Sequence, residues 1–181
     1  MSTMHQDITA VLFEEAQIRA RVQELGSRIS REYEGKVPVL IGILKGGFMF
    51  MADLIRALDI PMEVDFMAIS SYGGGVTSSG AVKIRKDIDV NIEGRHVIVV
   101  EDIIDSGLSI HYIRDYLMRH KPSSLKVCAL LNKPEAHAKD LTIDYVGFEV
   151  GNEFVVGYGL DYDGLYRNLP YIGILKESIY S

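Results

Sequence analysis

Two stretches, residues 37–44 (VPVLIGIL) and 96–100 (HVIVV), are apolar at nearly every position instead of alternating with polar residues. A strand with one face in water alternates, so a continuous apolar strand must be covered on both faces. Parallel strands alternating with helices meet that condition. The helices can be read between the strands. Ile18, Val22, Leu25 and Ile29 recur at spacings of four, three and four within residues 14–33, which is one face of a helix. Lys45-Gly46-Gly47 follows the first apolar run, and a helical pattern extends to about residue 58. Pro61 breaks it, and residues 62–69 read as the next strand. After residues 96–100 comes an acidic turn and a helix over residues 109–120, closed by Lys121-Pro122. Residues 125–131 form another apolar strand, and shorter strands are predicted at 144–150, 154–158 and 171–175. The expected fold is α/β, with a mainly parallel central sheet flanked by helices.

At 181 residues the chain fits one domain, 1–181, without an internal repeat or a linker. Its 48% hydrophobic content supplies a core and excludes a disordered chain. With 19 basic and 25 acidic residues the net charge is −6, which argues against a nucleic-acid or anionic-membrane surface. An anionic small molecule stays open if local lysines, backbone N–H groups or a metal receive it. A single cysteine, Cys128, lies in an apolar strand and reads as a small buried hydrophobe. The sequence shows no signal-peptide pattern, and its most apolar window is interrupted by Lys45, Gly46 and Gly47, so the cytoplasm is expected. His5, His96, His111, His120 and His137 lack metal-ligand spacing and read as surface or packing residues. Tyr158, Tyr162, Tyr166 and Tyr171 read as packing or interface aromatics.

In open parallel sheets, ligands bind at the carboxyl ends of strands. Two such ends stand out. Lys45-Gly46-Gly47 offers close backbone approach and a point charge, although any strand-to-helix turn can use glycine. The second is more specific: Glu101, Asp102 and Asp105 fall within five residues of the apolar run, and Ser106-Gly107-Leu108-Ser109 then opens a helix. A helix N-terminus with free N–H groups and hydroxyls receives anions. Carboxylates beside it repel a phosphate unless they bind hydroxyls or hold a divalent cation. A solvated loop is a poor alternative, because Ile103-Ile104 sits among the acids. Residues 70–80 are rich in glycine and serine and read either as a connector or as a lid, with Lys83, Arg85 and Lys86 favouring a lid at about 70–82.

The acidic segment resembles the phosphoribosyl pyrophosphate (PRPP) signature of the type I phosphoribosyltransferases. With the Lys45 turn, Ser71-Tyr72 and the segment from Lys133 through Arg167, the chain is similar over residues 37–176 to the bacterial hypoxanthine (hypoxanthine-guanine) phosphoribosyltransferases. The resemblance implies that family's fold, with a small hood formed from the terminal segments. It also implies roles. Glu101 and Asp102 would meet the ribose hydroxyls, directly or through magnesium, and Asp105 would be the general base or acid at purine N7. Ser106, Gly107, Leu108 and Ser109 would cradle the 5′-phosphate. Lys45, Gly46 and Arg167 would face pyrophosphate, with the Leu44–Lys45 peptide open to a cis form. Ser71 and Tyr72 would belong to the lid that excludes water. Lys133 would donate to the 6-oxo oxygen, Phe154 would stack on the base, and main-chain groups of Val155 and Asp161 would read its 2-position side. Asp161 would also hold a second magnesium. Leu108 and Glu153 stand where some relatives carry lysine, and Ser109 where threonine is frequent.

The implied activity is purine salvage: transfer of ribose 5-phosphate from PRPP to N9 of hypoxanthine, and of guanine, by a homodimer or homotetramer that binds neither nucleic acid nor membrane. A xanthine- or guanine-preferring enzyme shares nearly all these residues, and a PRPP-sensing regulator of the same fold is a third reading.

Overall fold

A computed structural model describes residues 3–71, 82–137 and 141–181. In chain order its elements are α1 (Thr3–Gln6), β1 (Ile8–Phe13), α2 (Glu15–Glu32), β2 (Val39–Leu44), α3 (Phe48–Ala57), β3 (Glu63–Ser71) and β4 (Val82–Lys86). There follow β5 (His96–Ile104), α4 (Leu108–Met118), β6 (Ser124–Asn132), β7 (Tyr145–Glu149), β8 (Val155–Val156), β9 (Ile172–Leu175) and α5 (Glu177–Tyr180). Six strands form the central sheet in the order β4-β3-β2-β5-β6-β7, parallel throughout except for β4.

The apolar runs behave as two-faced strands. Leu40, Ile98, Val100, Cys128 and Leu130 turn toward α2 and α3, where they meet Ile18, Val22, Ile29, Phe50 and Leu54. Their neighbours Val39, Ile41, Val97, Val99 and Val127 turn the other way, against Ile110, Ile113 and Leu117 of α4. Period-2 side-chain alternation therefore feeds two cores from one strand, which is why the sequence shows no polar face. Lys126 and Tyr145 both bond the carboxylate of Glu32, fastening the end of α2 to the sheet. Cys128 is fully buried, and desolvation pushes its thiol pKa up.

The terminal segments build the predicted hood. β1, β9 and β8 form a separate antiparallel sheet in that order. Val156, Tyr166, Leu169 and Leu175 form a small core there, with Met4, Ile8, Phe154 and Ile179 packed on it. The two ends are stitched together: Lys176 N–H donates to the Asp7 carbonyl at 2.9 Å, and the Tyr166 hydroxyl to the Asp7 carboxylate at 2.9 Å.

Three features differ from the sequence expectation. β5 does not stop at Val100 but runs to Ile104, because its pairing with β6 continues through Glu101↔Ala129 and Ile104↔Asn132. Glu101 and Asp102 therefore lie in the strand, and only Asp105 lies beyond it. β1 went unpredicted because register irregularities between Ile8 and Ala10 and between Val11 and Phe13 erase its alternation. β4 is an edge strand whose Lys83, Arg85 and Lys86 mask it, as charged edges do. The lid expectation at Tyr72 and residues 72–81 lies outside the described residues. Ser71 ends β3, and its backbone pairs with Val82.

The β3–β4 pair is anchored by Asp65, which is 8% exposed. Its carboxylate accepts N–H bonds from Phe66 (2.7 Å), Asp89 (2.6 Å) and Val90 (3.0 Å), with Lys86 Nζ at 3.4 Å. Burial pushes this carboxyl pKa up, but the three backbone donors and Lys86 outweigh burial and hold it below the ordinary aspartate value. A depressed folded pKa stabilises the fold above the unfolded value of about 3.9, and that contribution is lost as pH falls through the folded value. Asp65→Asn is expected to lower stability by about 1–3 kcal/mol at pH 7 in urea titrations. The gap to the parent chain should narrow as the pH drops below about 4.

Candidate active site

β2 and β5 are parallel neighbours, with Val39 beside Val97 and Gly42 beside Val100, so both open at the same sheet edge. β3 and β6 flank them and end there too. A cavity of about 340 Å³ lies over that edge. Lys45 and Gly46 line it from the β2 turn, and Glu101, Asp102 and Asp105 from the end of β5. Ser106, Gly107 and Ser109 line it from the entry to α4, and Asp161 and Arg167 close the opposite wall. Ile43, Ile69, Ile104 and Ile110 supply the apolar part of its lining. A larger cavity of about 560 Å³, bordered by α2, α3 and Tyr158, lies away from the strand ends and their turn. The first cavity is therefore the candidate site.

Each wall has a local cause. The Leu44–Lys45 peptide is cis. Gly46 is pressed against Asp102, so closely that a β-carbon there would overlap Asp102 Oδ2. Asp102 Oδ1 accepts the Ile103 N–H at 2.8 Å, which orients the carboxylate. Burial pushes the Glu101 pKa well up, with the neighbouring Asp102 charge adding to it, and burial raises Asp102 as well. Gly107 carries a positive φ of 78° immediately before α4, and the Ser106 hydroxyl lies 3.4 Å from the Leu108 N–H. Leu108 does not line the cavity; its side chain is exposed.

Lys133 follows β6 and is 9% exposed. Its Nζ donates to the Glu153 carbonyl at 3.1 Å and stands 3.8 Å from Asp105 Oδ2. Phe154 and Val155 lie outside the cavity, next to the carbonyl that Lys133 holds. Val155 is buried in β8 beside Ile174 of β9, and Phe154 is half-buried in the hood. Asp161 Oδ1 pairs with Arg167 at 2.8 Å, and its Oδ2 accepts the Gly164 N–H at 2.7 Å. Among the described residues no group of three or more histidine, cysteine, aspartate or glutamate side chains forms a metal cage.

Sequence reasoning missed one support of this wall. The Tyr158 hydroxyl donates to Asp53 of α3 at 2.6 Å, and Tyr158 has a φ of +50° between Gly157 at +102° and Gly159 at +100°. The turn brings Gly159 against the Gly46 carbonyl, where a β-carbon would not fit. The Gly159 carbonyl in turn accepts from Arg167 at 2.6 Å. Two glycines around a tyrosine were the available signal for such a turn.

Residues 11–163 match the family described as phosphoribosyl transferase domain. A hypoxanthine-guanine phosphoribosyltransferase of Streptococcus thermophilus is 52% identical over 178 residues, covering 98% of this chain and 99% of that protein. The crystal structure of a hypoxanthine phosphoribosyltransferase from Staphylococcus aureus superposes with a TM-score of 0.96 at 47% identity, covering 99% of this chain and 98% of that one. A hypoxanthine-guanine phosphoribosyltransferase from Bacillus anthracis, solved with a HEPES molecule in its active site, has a TM-score of 0.90 at 50% identity, covering 93% of this chain and 99% of that one. No helix among the described residues is long and apolar enough to cross a membrane. Family model, identity and fold agree: the chain belongs to the phosphoribosyl transferases, among the hypoxanthine-guanine phosphoribosyltransferases.

Proposed function

We propose that this chain transfers ribose 5-phosphate from PRPP to N9 of hypoxanthine or guanine, releasing pyrophosphate and the purine nucleoside monophosphate. The observation that carries this reading is the approach of Lys133 Nζ to Asp105 Oδ2, 3.8 Å apart at one strand edge. A 6-oxopurine presents an acceptor, O6, beside the N7–H of its free-base tautomer. A lysine donor next to a carboxylate acceptor is the complement of that edge. Adenine sets an amino donor against the ammonium, which has no acceptor to offer.

In this reading N9 attacks C1′ of PRPP while the C1′–oxygen bond to pyrophosphate breaks. The N7 proton passes to the Asp105 carboxylate, and pyrophosphate leaves with the bonding pair. The backbone N–H groups and hydroxyls at Ser106, Gly107, Leu108 and Ser109 hold the 5′-phosphate at the start of α4. Lys45, Gly46 and Arg167 receive the pyrophosphate, whose charge grows as the bond breaks. Glu101 and Asp102 meet the ribose hydroxyls. Phe154 stacks on the base, and main-chain groups of Val155 and Asp161 read its 2-position side.

Magnesium suits the donor set. This cation is commonly held by one or two carboxylates with water and substrate phosphates completing its shell, and the carboxylates among the described residues at the site fit that pattern. Asp161 would hold a second ion, and Glu101 and Asp102 would meet the first. When bound it offsets phosphate charge and orients the leaving group. We infer further a single domain with a lid over residues 70–82, including Ser71 and Tyr72, and a homodimer or homotetramer.

Asp105→Asn should lower kcat by about 10²–10⁴-fold with KM for PRPP little changed, because only the proton acceptor is lost. A folded Asn variant with near-parental turnover of hypoxanthine would remove Asp105 from the mechanism. Steady-state assays with hypoxanthine, guanine, xanthine and adenine side by side should rank adenine last; adenine as the best substrate contradicts the role of Lys133. Gly46→Ala is expected to leave the melting temperature near parental but to reduce kcat/KM for PRPP by at least about 100-fold, since the new methyl group displaces Asp102 or the turn.

A further inference from the structure

Phe154 precedes β8 on a stretch that is neither helix nor strand. Its backbone is held, since its carbonyl accepts the Leu175 N–H at 2.9 Å and the preceding carbonyl accepts from Lys133 at 3.1 Å. Backbone tethers do not fix the plane of a ring. The ring packs on the hood core and meets two tyrosines. Tyr180 of the C-terminal α5 stacks on Phe154, with centroids 4.9 Å apart and planes 25° apart. Tyr162 meets Phe154 edge-on at 5.6 Å and 88°. The tyrosine centroids are 6.4 Å from each other, so Tyr162 does not lie across the Phe154 ring from Tyr180. α5 is itself held. The Ile179 side chain packs into the hood core, and Lys176, which precedes the helix, is bonded to Asp7.

We propose that Tyr180 is a positioning residue for the purine: it backs Phe154 and fixes the ring face that stacks on the base. This rests on the reading of Phe154 as the base-stacking aromatic. Offset-stacked aromatic pairs are favourable beyond their buried area, and a ring already ordered loses less freedom when the base arrives. Removing Tyr180 leaves the phosphate turn, Asp105, Lys133 and the Arg167 wall untouched, so its effect belongs to ligands that carry a base.

The test is calorimetric binding of inosine 5′-monophosphate and of ribose 5-phosphate, which lacks the base, to the parent chain, Tyr180→Ala and Tyr180→Phe. Tyr180→Ala should weaken the nucleotide about 3- to 10-fold and leave ribose 5-phosphate within about twofold of parental. Tyr180→Phe, which keeps the ring, should restore nucleotide affinity. In steady-state assays Tyr180→Ala should raise KM for hypoxanthine by a similar factor while KM for PRPP and kcat stay near parental. Equal nucleotide affinity in the parent and Tyr180→Ala overturns the proposal, and so does an equal loss for both ligands. A parent chain that binds ribose 5-phosphate but not the nucleotide overturns the functional reading and this proposal together.

Discussion

The parallel pairing of β2 with β5 is the constraint from which the site follows. Because the two strands run the same way and lie side by side, the turn after one and the acidic end of the other open at one edge. Gly46 then meets Asp102 with no room for a side chain between them. The register of the two strands is held by their backbone pairing, with Val39 beside Val97 and Gly42 beside Val100. The sheet in turn is held by burial on both faces, with α2 and α3 on one side and α4 on the other. Core packing and site geometry are thus two descriptions of the same strands.

An acidic chain receiving phosphates is less contradictory than the net charge of −6 suggests. Charge is organised locally. Asp161 is paired with Arg167, Asp65 is held charged by backbone donors and Lys86, and Glu101 and Asp102 are raised in pKa by burial. What faces the cavity from the turn at Ser106 to Ser109 is backbone and hydroxyl, whose donors carry no formal charge. A summed charge describes long-range steering and solubility, and these pairings decide what a pocket accepts.

The parts of the fold that could be read from sequence are those in which one residue pattern serves one environment. The runs at 37–44 and 125–131 had to be two-faced strands, and the spacing of Ile18, Val22, Leu25 and Ile29 had to be a helix. β1 escaped because its two register irregularities destroy the period, and β5 was read short because Glu101 and Asp102 look like a turn although Glu101 pairs with Ala129 and the pairing with β6 goes on at Ile103 and Ile104. That Glu101, Asp102, Asp105, Ser106, Gly107 and Ser109 gather at one strand end was legible because they follow the apolar run at 96–100 directly in sequence. The support from Tyr158 to Asp53 was not, since those residues are 105 positions apart and only the fold brings them together. The same holds for Tyr180 on Phe154, where a ring near the chain end says nothing locally about its partner.

Cys128 gives the molecule a built-in reporter. It is the chain's only cysteine and sits in β6, with β5 on one side and β7 on the other, shielded from solvent. Burial raises its pKa and so disfavours the reactive thiolate. A thiol reagent can reach it only when the central sheet opens. Alkylation in native buffer therefore follows the opening of the core that covers β6, a core to which α2, α3 and the hood residues Val155 and Ile172 all contribute.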